Sequence, residues 1–156
     1  MTVSQYNSPI GTITLVSGGI SLTELRLAKH QEEQAFPYSA NTPTPQIIAD
    51  TIRWLDLYFS GARPDFTPPL KPKGSPFQQK IWHELTNIPY GQTTTYGAIA
   101  KRISCRSAQA VGQAIHRNPI AIIIPCHRVI GSDGSLTGYA SGLDVKRQLL
   151  AIEGLF

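Results

Sequence analysis

Apolar and polar positions change period several times along the chain, and each change marks an element. Residues 3–16 contain Gly11 after Ser8-Pro9 and then Thr-Ile-Thr-Leu-Val in alternation, which predicts a strand. Gly18-Gly19 is a turn signal, and Ile20 to Leu27 alternates again, so the pattern predicts a hairpin. Residues 30–44 are polar, carry proline and show no period; they read as loop. Ile47, Ile48, Ile52, Leu55 and Tyr58 or Phe59 recur at helical spacing, predicting a helix from Pro45 to Phe59 that Ser60-Gly61 ends. Pro64, Pro68, Pro69, Pro72 and Pro76, with Gly74, make residues 61–76 a linker.

Beyond it the helical period returns. Phe77, Ile81, Trp82 and Leu85 predict a helix to Ile88, with Pro76 at its first position and Pro89-Tyr90-Gly91 as its break. Thr93-Thr94-Thr95 can cap a helix through Tyr96, Ile99 and Ile103. A polar break at Ser104–Arg106 leads to a second helix from about Ser107 to His116. Two short helices about a tight break are the layout of a helix-turn-helix, although many helix pairs share it. Ala108, Ala110, Gly112 and Ala114 make the second helix thin-walled, suited to a close partner or to tight packing on another helix. Ile120 to Ile124 is an unbroken apolar run that reads as a buried strand or core segment, and it ends at Pro125, Cys126 and His127. Gly131 to Gly138 reads as a loop or a wing-like hairpin, and Tyr139–Gly142 as a stretch able to close over a small pocket. Leu143 to Ile152 is a final helix with Leu143, Leu149 and Leu150 apolar and Lys146 and Arg147 exposed. No internal repeat is visible. The fold class is α/β, of the α+β kind: a small sheet-plus-helix domain over 1–70, then a mostly helical domain over 71–156 with a winged helix-turn-helix layout.

Composition narrows the class. In 156 residues, 41% hydrophobic and 15% charged content is that of a globular protein, and no apolar run approaches a membrane span. The N-terminus lacks the layout of a signal peptide. Cys105 and Cys126 are too few for a disulfide framework and have no zinc-ligand spacing, so a reduced, cytoplasmic protein without metal is expected. Charge is uneven: residues 1–70 net −2 and residues 71–156 net +6, with five basic and no acidic residues from Lys101 to Arg128. That asymmetry suggests a polyanion as the partner of the second half, although many basic surfaces are merely solvated.

Cys126 carries the candidate chemistry. Thiolate is the reactive form, and an adjacent His or Arg raises its fraction by proton transfer or electrostatics. The bland alternative is a small core residue. His127 cannot share a face with Cys126 on a regular strand, so joint action requires a turn after Pro125.

Ile124-Pro125-Cys126-His127-Arg128-Val129 resembles the active-site signature of the O6-alkylguanine-DNA alkyltransferases, the methylated-DNA–protein-cysteine methyltransferases. Asn118-Pro119 before it, Gly138-Tyr139, Gly142-Leu143 and Leu149 to Gly154 after it, and Gly74 to Gln78, Trp82 and Ile88 to Gly91 upstream extend the likeness. It is strong from about 74 to 154 and weaker before, where Ser8-Pro9-Ile10-Gly11 matches. The resemblance implies single, irreversible transfer of the alkyl group from guanine O6 in double-stranded DNA to Cys126, with no cofactor. It also implies that His127 activates the thiol through a water, that Glu153 orients the imidazole, that Asn118 fixes the turn, and that Tyr96 supports the base at N3. Val129, Tyr139 and Ala140 would line the base pocket with Cys126. Arg128 is expected to hold the fold or the interdomain seam rather than touch substrate.

The base must leave the duplex to reach a buried sulfur. The family fills the gap with an arginine on the recognition helix, where this chain carries Gln109 between Ala108 and Gly112, after a turn one residue short. Arg106 and Arg117 are the candidates to compensate. Two other readings compete. A lesion sensor without transfer would lack the acceptor cysteine, which this chain keeps. A Cys-His hydrolase would need an oxyanion-binding set of backbone donors, for which Gly131–Gly138 is the only candidate. A monomer is expected.

Overall fold

A computed structural model describes residues 1–27, 44–139 and 142–155. The predicted loop at 30–44 lies almost wholly outside these residues, and Ala140 falls outside them too. The chain divides into two compact units, Met1–Pro72 and Lys73–Phe156.

The first unit is an antiparallel meander with one helix. Strands β1 (Thr2–Ser8), β2 (Gly11–Ser17) and β3 (Leu22–Leu27) lie in that order, with Thr2 opposite Ser17 and Ser8 opposite Gly11. The sequence reading merged β1 with β2. What separates them is the Pro9-Ile10 turn, in which Gly11 takes φ 114° and Ser8 Oγ donates to the Gly11 carbonyl. Ile13, Leu15, Leu22 and Leu25 bury one face of the sheet. Helix α1 (Gln46–Phe59) buries Ile47, Ile48, Thr51, Trp54, Leu55 and Tyr58, a stripe at helical spacing. The proline-rich segment is not a free linker throughout. Leu22 N–H donates to the Pro69 carbonyl and Lys71 N–H donates to the Leu22 carbonyl, both at 2.8 Å, so a bridge at Leu70 stitches it to β3.

The second unit is mostly helical. Helix α2 (Pro76–Thr86) starts in a full capping box: Ser75 Oγ accepts from Gln78 N–H while the Gln78 side chain accepts from Ser75 N–H. Gly74 is required there, because a Cβ would lie 2.4 Å from the Trp82 ring. Trp82 Nε1–H reaches the Ala114 carbonyl at 2.8 Å and so joins α2 to α4 (Ala108–His116). Thr95 caps α3 (Tyr96–Arg102) and Ser107 caps α4 through their hydroxyls. Between the two helices Ser104 adopts φ 56° and Cys105 N–H bonds back to the Ala100 carbonyl. A two-residue parallel ladder joins β4 (Thr94–Thr95) to β5 (Val129–Ile130), and α5 (Leu143–Ile152) closes the unit.

The structure decides between two pairs of alternatives and corrects one expectation. Ile120 to Ile124 is core but not strand: it folds into turns, with Ile122 at φ 70° and Ile123 N–H bonded to the Ala121 carbonyl. Residues 131–138 form a loop around Asp133 and Ser135, with no hairpin pairing among the described residues. Lys146 is fully buried, not exposed, while Arg147 is exposed as expected.

Candidate active site

The site begins with the side chain that folds its turn. Asn118 follows α4, and its amide bonds both ends of the apolar run: Oδ1 accepts from Ile120 N–H at 3.0 Å and Nδ2 donates to the Ile124 carbonyl at 2.8 Å. Five residues that would favour a strand are thereby folded into a loop. The cost is local strain, since a β-branched residue at positive φ is unfavourable by roughly 1–3 kcal/mol. Pro125, at φ −82° and ψ 65°, then centres an inverse γ-turn in which Cys126 N–H bonds the Ile124 carbonyl at 2.8 Å. The chain enters a 3-10 turn, Cys126–Arg128, and all three side chains are buried. This is the turn that joint action of Cys126 and His127 requires.

Behind it lies a carboxylate. Glu153, just past α5, places Oε2 2.5 Å from His127 Nε2 and Oε1 2.7 Å from Arg128 Nε. Gly91 N–H also donates to Oε1, at 3.0 Å, and Arg128 Nη1 donates to the Ile88 carbonyl at 2.7 Å. Arg128 thus ties the Ile88–Gly91 break to α5, the structural role expected of it. Burial pushes the Glu153 carboxyl up, but the bonds and charges of His127 and Arg128 and the Gly91 amide outweigh it and hold it down at about 2. Burial lowers His127 below its ordinary value, against the pull of Glu153. With the carboxylate ionised and the imidazole neutral, Nε2–H donates to Glu153, which leaves the lone pair on Nδ1. Burial likewise pushes the Cys126 thiol up, and Asn118, Lys146 and Tyr139 act against it.

The remaining residues fall into two groups. Val129 is fully buried next to the 3-10 turn, and the Tyr139 hydroxyl is buried beside Cys126, with which it interacts. Tyr96, half-buried at the start of α3, donates its hydroxyl to the Thr137 carbonyl at 3.0 Å, with His116 Nε2 3.3 Å away. Gly112 of α4 faces its ring, 3.8 Å from where a Cβ would stand. Arg106, Ala108, Gln109 and Arg117 are all exposed on or beside α4, away from the buried Val111, Ala114 and Ile115. The structure therefore gathers Cys126, His127, Glu153, Asn118, Val129 and Tyr139 in one place. It leaves Gln109 and the two arginines on a surface. Sequence reasoning missed Lys146, whose Nζ donates to the Val129 carbonyl at 2.6 Å and the Thr137 carbonyl at 2.8 Å. A signal existed: Lys146, Leu149, Leu150 and Glu153 fall at i, i+3, i+4 and i+7, a single buried stripe.

Two family models match the chain, both of 6-O-methylguanine DNA methyltransferase: its ribonuclease-like domain over residues 1–72 and its DNA-binding domain over residues 76–155. The chain belongs to this family. It is 45% identical over 150 residues to the methylated-DNA–protein-cysteine methyltransferase of Methanosarcina acetivorans, covering 96% of both chains. Among solved structures it is similar to Mycobacterium tuberculosis OGT in complex with DNA, at 43% identity and a TM-score of 0.83, covering 96% of this chain and 90% of that one. An O6-methylguanine DNA methyltransferase from Methanococcus jannaschii matches at 31% identity and a TM-score of 0.73, covering 99% of this chain and 94% of that one. Among the described residues no helix is long and apolar enough to cross a membrane, and no group of His, Cys, Asp or Glu could hold a metal ion.

The Glu153 cluster sets an acid limit. The depressed carboxyl contributes stability that is complete above its ordinary value of 4.5 and is lost as pH falls from there toward 2. His127, held neutral by burial, adds a loss that starts below 6.5. Urea unfolding of Glu153→Gln at neutral pH is expected to show a loss of roughly 3–5 kcal/mol, because Arg128 keeps a buried charge without its carboxylate. Its stability should then depend less on pH between about 5 and 2 than that of the wild type.

Proposed function

We propose that this chain repairs DNA by direct transfer: the alkyl group on guanine O6 moves to Cys126 Sγ, once per molecule. The observation that carries the reading is a buried cysteine on a strained turn, backed by a His127–Glu153 pair, in a chain of this family.

A buried thiol resists ionisation, so the reaction needs a base close to it. His127 Nδ1 takes the Sγ proton, through a water, while Glu153 stabilises the imidazolium that forms. Sulfur attacks the alkyl carbon, the carbon–O6 bond breaks, and guanine leaves with its electron pair. The Tyr96 hydroxyl donates its proton to N3 of the departing base, and the proton held by His127 returns through water to the phenolate, so guanine leaves neutral. Asn118 holds the turn, and Val129 and Tyr139 wall the pocket. The product is a neutral thioether that offers no leaving group for return, and the protein is consumed.

DNA is the partner that supplies this substrate. The net +6 of residues 71–156 favours a phosphate backbone, and the Mycobacterium tuberculosis relative crystallised with DNA supports the same partner. We read α3 and α4 as a helix-turn-helix with α4 as its reading helix. Unstacking the damaged base costs a few kcal/mol. Gln109 would fill the vacated place by hydrogen bonding without charge, and Ala108 and Gly112 let the α4 backbone come close. Arg106 and Arg117 flank it as phosphate contacts.

Intact-protein mass after mixing with duplex DNA containing O6-methylguanine tests the reading. One methyl-sized gain, mapped to Cys126 and absent from Cys126→Ser, is the expected result. No gain with lesion-selective binding intact would replace transfer by sensing. Gln109→Arg is expected to speed transfer from duplex DNA about tenfold, since charge-assisted contacts gain of order 1–2 kcal/mol. It should leave transfer from the free O6-alkylated base unchanged, as single-turnover kinetics on both substrates will report.

A further inference from the structure

His116 has no part in that scheme, yet it stands against the phenol that protonates the leaving base. It is the last residue of α4. Its Nε2 lies 3.3 Å from the Tyr96 hydroxyl, and the two rings meet edge to face with centroids 6.1 Å apart. The 131–138 loop is shaped around the imidazole. A Cβ at Gly138, where φ is 53°, would stand 2.4 Å from His116 Cε1, so the chain passes the ring only as glycine. Helices α3 and α4 and the loop thus converge on one phenol–imidazole contact.

The direction of that contact follows from the phenol's other partners. Tyr96 has a single hydroxyl proton, and it goes to the Thr137 carbonyl at 3.0 Å, with the Gly138 carbonyl beside it at 3.4 Å. Carbonyls only accept. Oη therefore turns a lone pair toward His116, and the contact is a hydrogen bond when Nε2 carries the ring proton. Burial first, and then the Lys146 charge, lower His116 below its ordinary value, while a bond to the Gly138 backbone pulls it up. The ring is neutral at pH 7, with one N–H to place. At 3.3 Å the bond to a neutral phenol is long and weak. Negative charge on Oη shortens and strengthens such a bond. A donor here binds the phenolate better than the phenol, which is the condition for speeding the step that makes it.

We propose that His116 is the positioning residue of leaving-group protonation: its Nε2–H, held at Tyr96 Oη, stabilises the phenolate formed as Tyr96 gives its proton to N3 of the departing guanine. The O–H bond of Tyr96 breaks and an N–H bond forms at N3. His116 keeps its own proton throughout, and the proton held by His127 refills Oη through water. Nothing is oxidised or reduced. The proposal rests on Cys126 being the alkyl acceptor and Tyr96 the acid.

The test follows alkylation of Cys126 by mass, under single-turnover conditions and in a Cys105→Ser background, with three reagents: O6-methylguanine in duplex DNA, O6-methylguanine as the free base, and iodoacetamide. Iodide leaves without a proton, so iodoacetamide reports on the thiol alone. His116→Phe keeps the ring and loses the N–H. It is expected to slow transfer from both guanines about tenfold and to leave the iodoacetamide rate unchanged to within about twofold. His116→Gln, which carries an N–H of similar reach, should recover transfer to within about threefold of wild type. In a Tyr96→Phe background, His116→Phe should cost nothing further. A loss confined to duplex DNA would make His116 a DNA contact, and an equal loss with iodoacetamide would make it a packing residue. A full loss on top of Tyr96→Phe would separate it from the phenol. Each of these overturns the proposal. Should His116→Phe fail to fold, long-range 1H–15N NMR of the wild type at pH about 7.5 decides: a proton on His116 Nε2 is expected, and one on Nδ1 overturns the proposal. Wild-type protein that shows the Nε2–H form but gains no methyl from O6-methylguanine DNA would sink the transfer reading and leave the His116–Tyr96 pair standing.

Discussion

A single buried carboxylate holds the active site in register. Glu153 meets His127 with one oxygen and Arg128 and the Gly91 amide with the other, and Arg128 passes the constraint on to the Ile88 carbonyl. Three stretches far apart in sequence, the α2–β4 connection, the cysteine turn and the end of α5, are fixed by one charged group. Such clusters add little net stability, because the desolvation of each ion offsets the attraction between them. What they contribute is geometry. Removing one member leaves another charge stranded, so the arrangement holds together or fails together.

The reactive turn uses the same logic without charge. A run of isoleucines would extend if left to its propensity, and the Asn118 amide, bonded at both ends of the run, folds it back instead. Ile122 takes a left-handed conformation in consequence. Cys126 is thus presented on a turn that cannot relax while Asn118 and Pro125 stay in place. The sulfur is buried and disfavoured as a thiolate, and it is served by separate groups: a base in His127, an amide in Asn118, a phenol in Tyr139 and a cation in Lys146.

Most of the fold could be read from the chain because its elements carry strong local signals. Pro76 at a first helical position, Thr95 and Ser107 as caps, and the stripes of α1 and α5 each act over one or two turns. What escaped depends on distant partners. β1 and β2 read as one strand, and the turn at Pro9-Ile10 divides them once the two halves pair along their whole length. The Ile120–Ile124 loop looks like a strand until Asn118 bonds it at both ends. Lys146 looks exposed because lysine usually is, and carbonyls elsewhere in the fold, those of Val129 and Thr137, make its burial tolerable. The candidate site followed the same division. Cys126 and His127 announce themselves as neighbours, and Glu153 entered only through family resemblance, since nothing local brings it near His127.

Glu153 and Arg128 act as one unit behind the cysteine. A double-mutant cycle on the single-turnover rate of methyl transfer, with Glu153→Gln, Arg128→Met and the pair, tests that most directly. Residues in one buried network couple by about 0.5–3 kcal/mol, so the double variant should be little slower than the slower single one. Losses that simply multiply would mean that the two residues act independently, and the carboxylate would not be the keystone of the site.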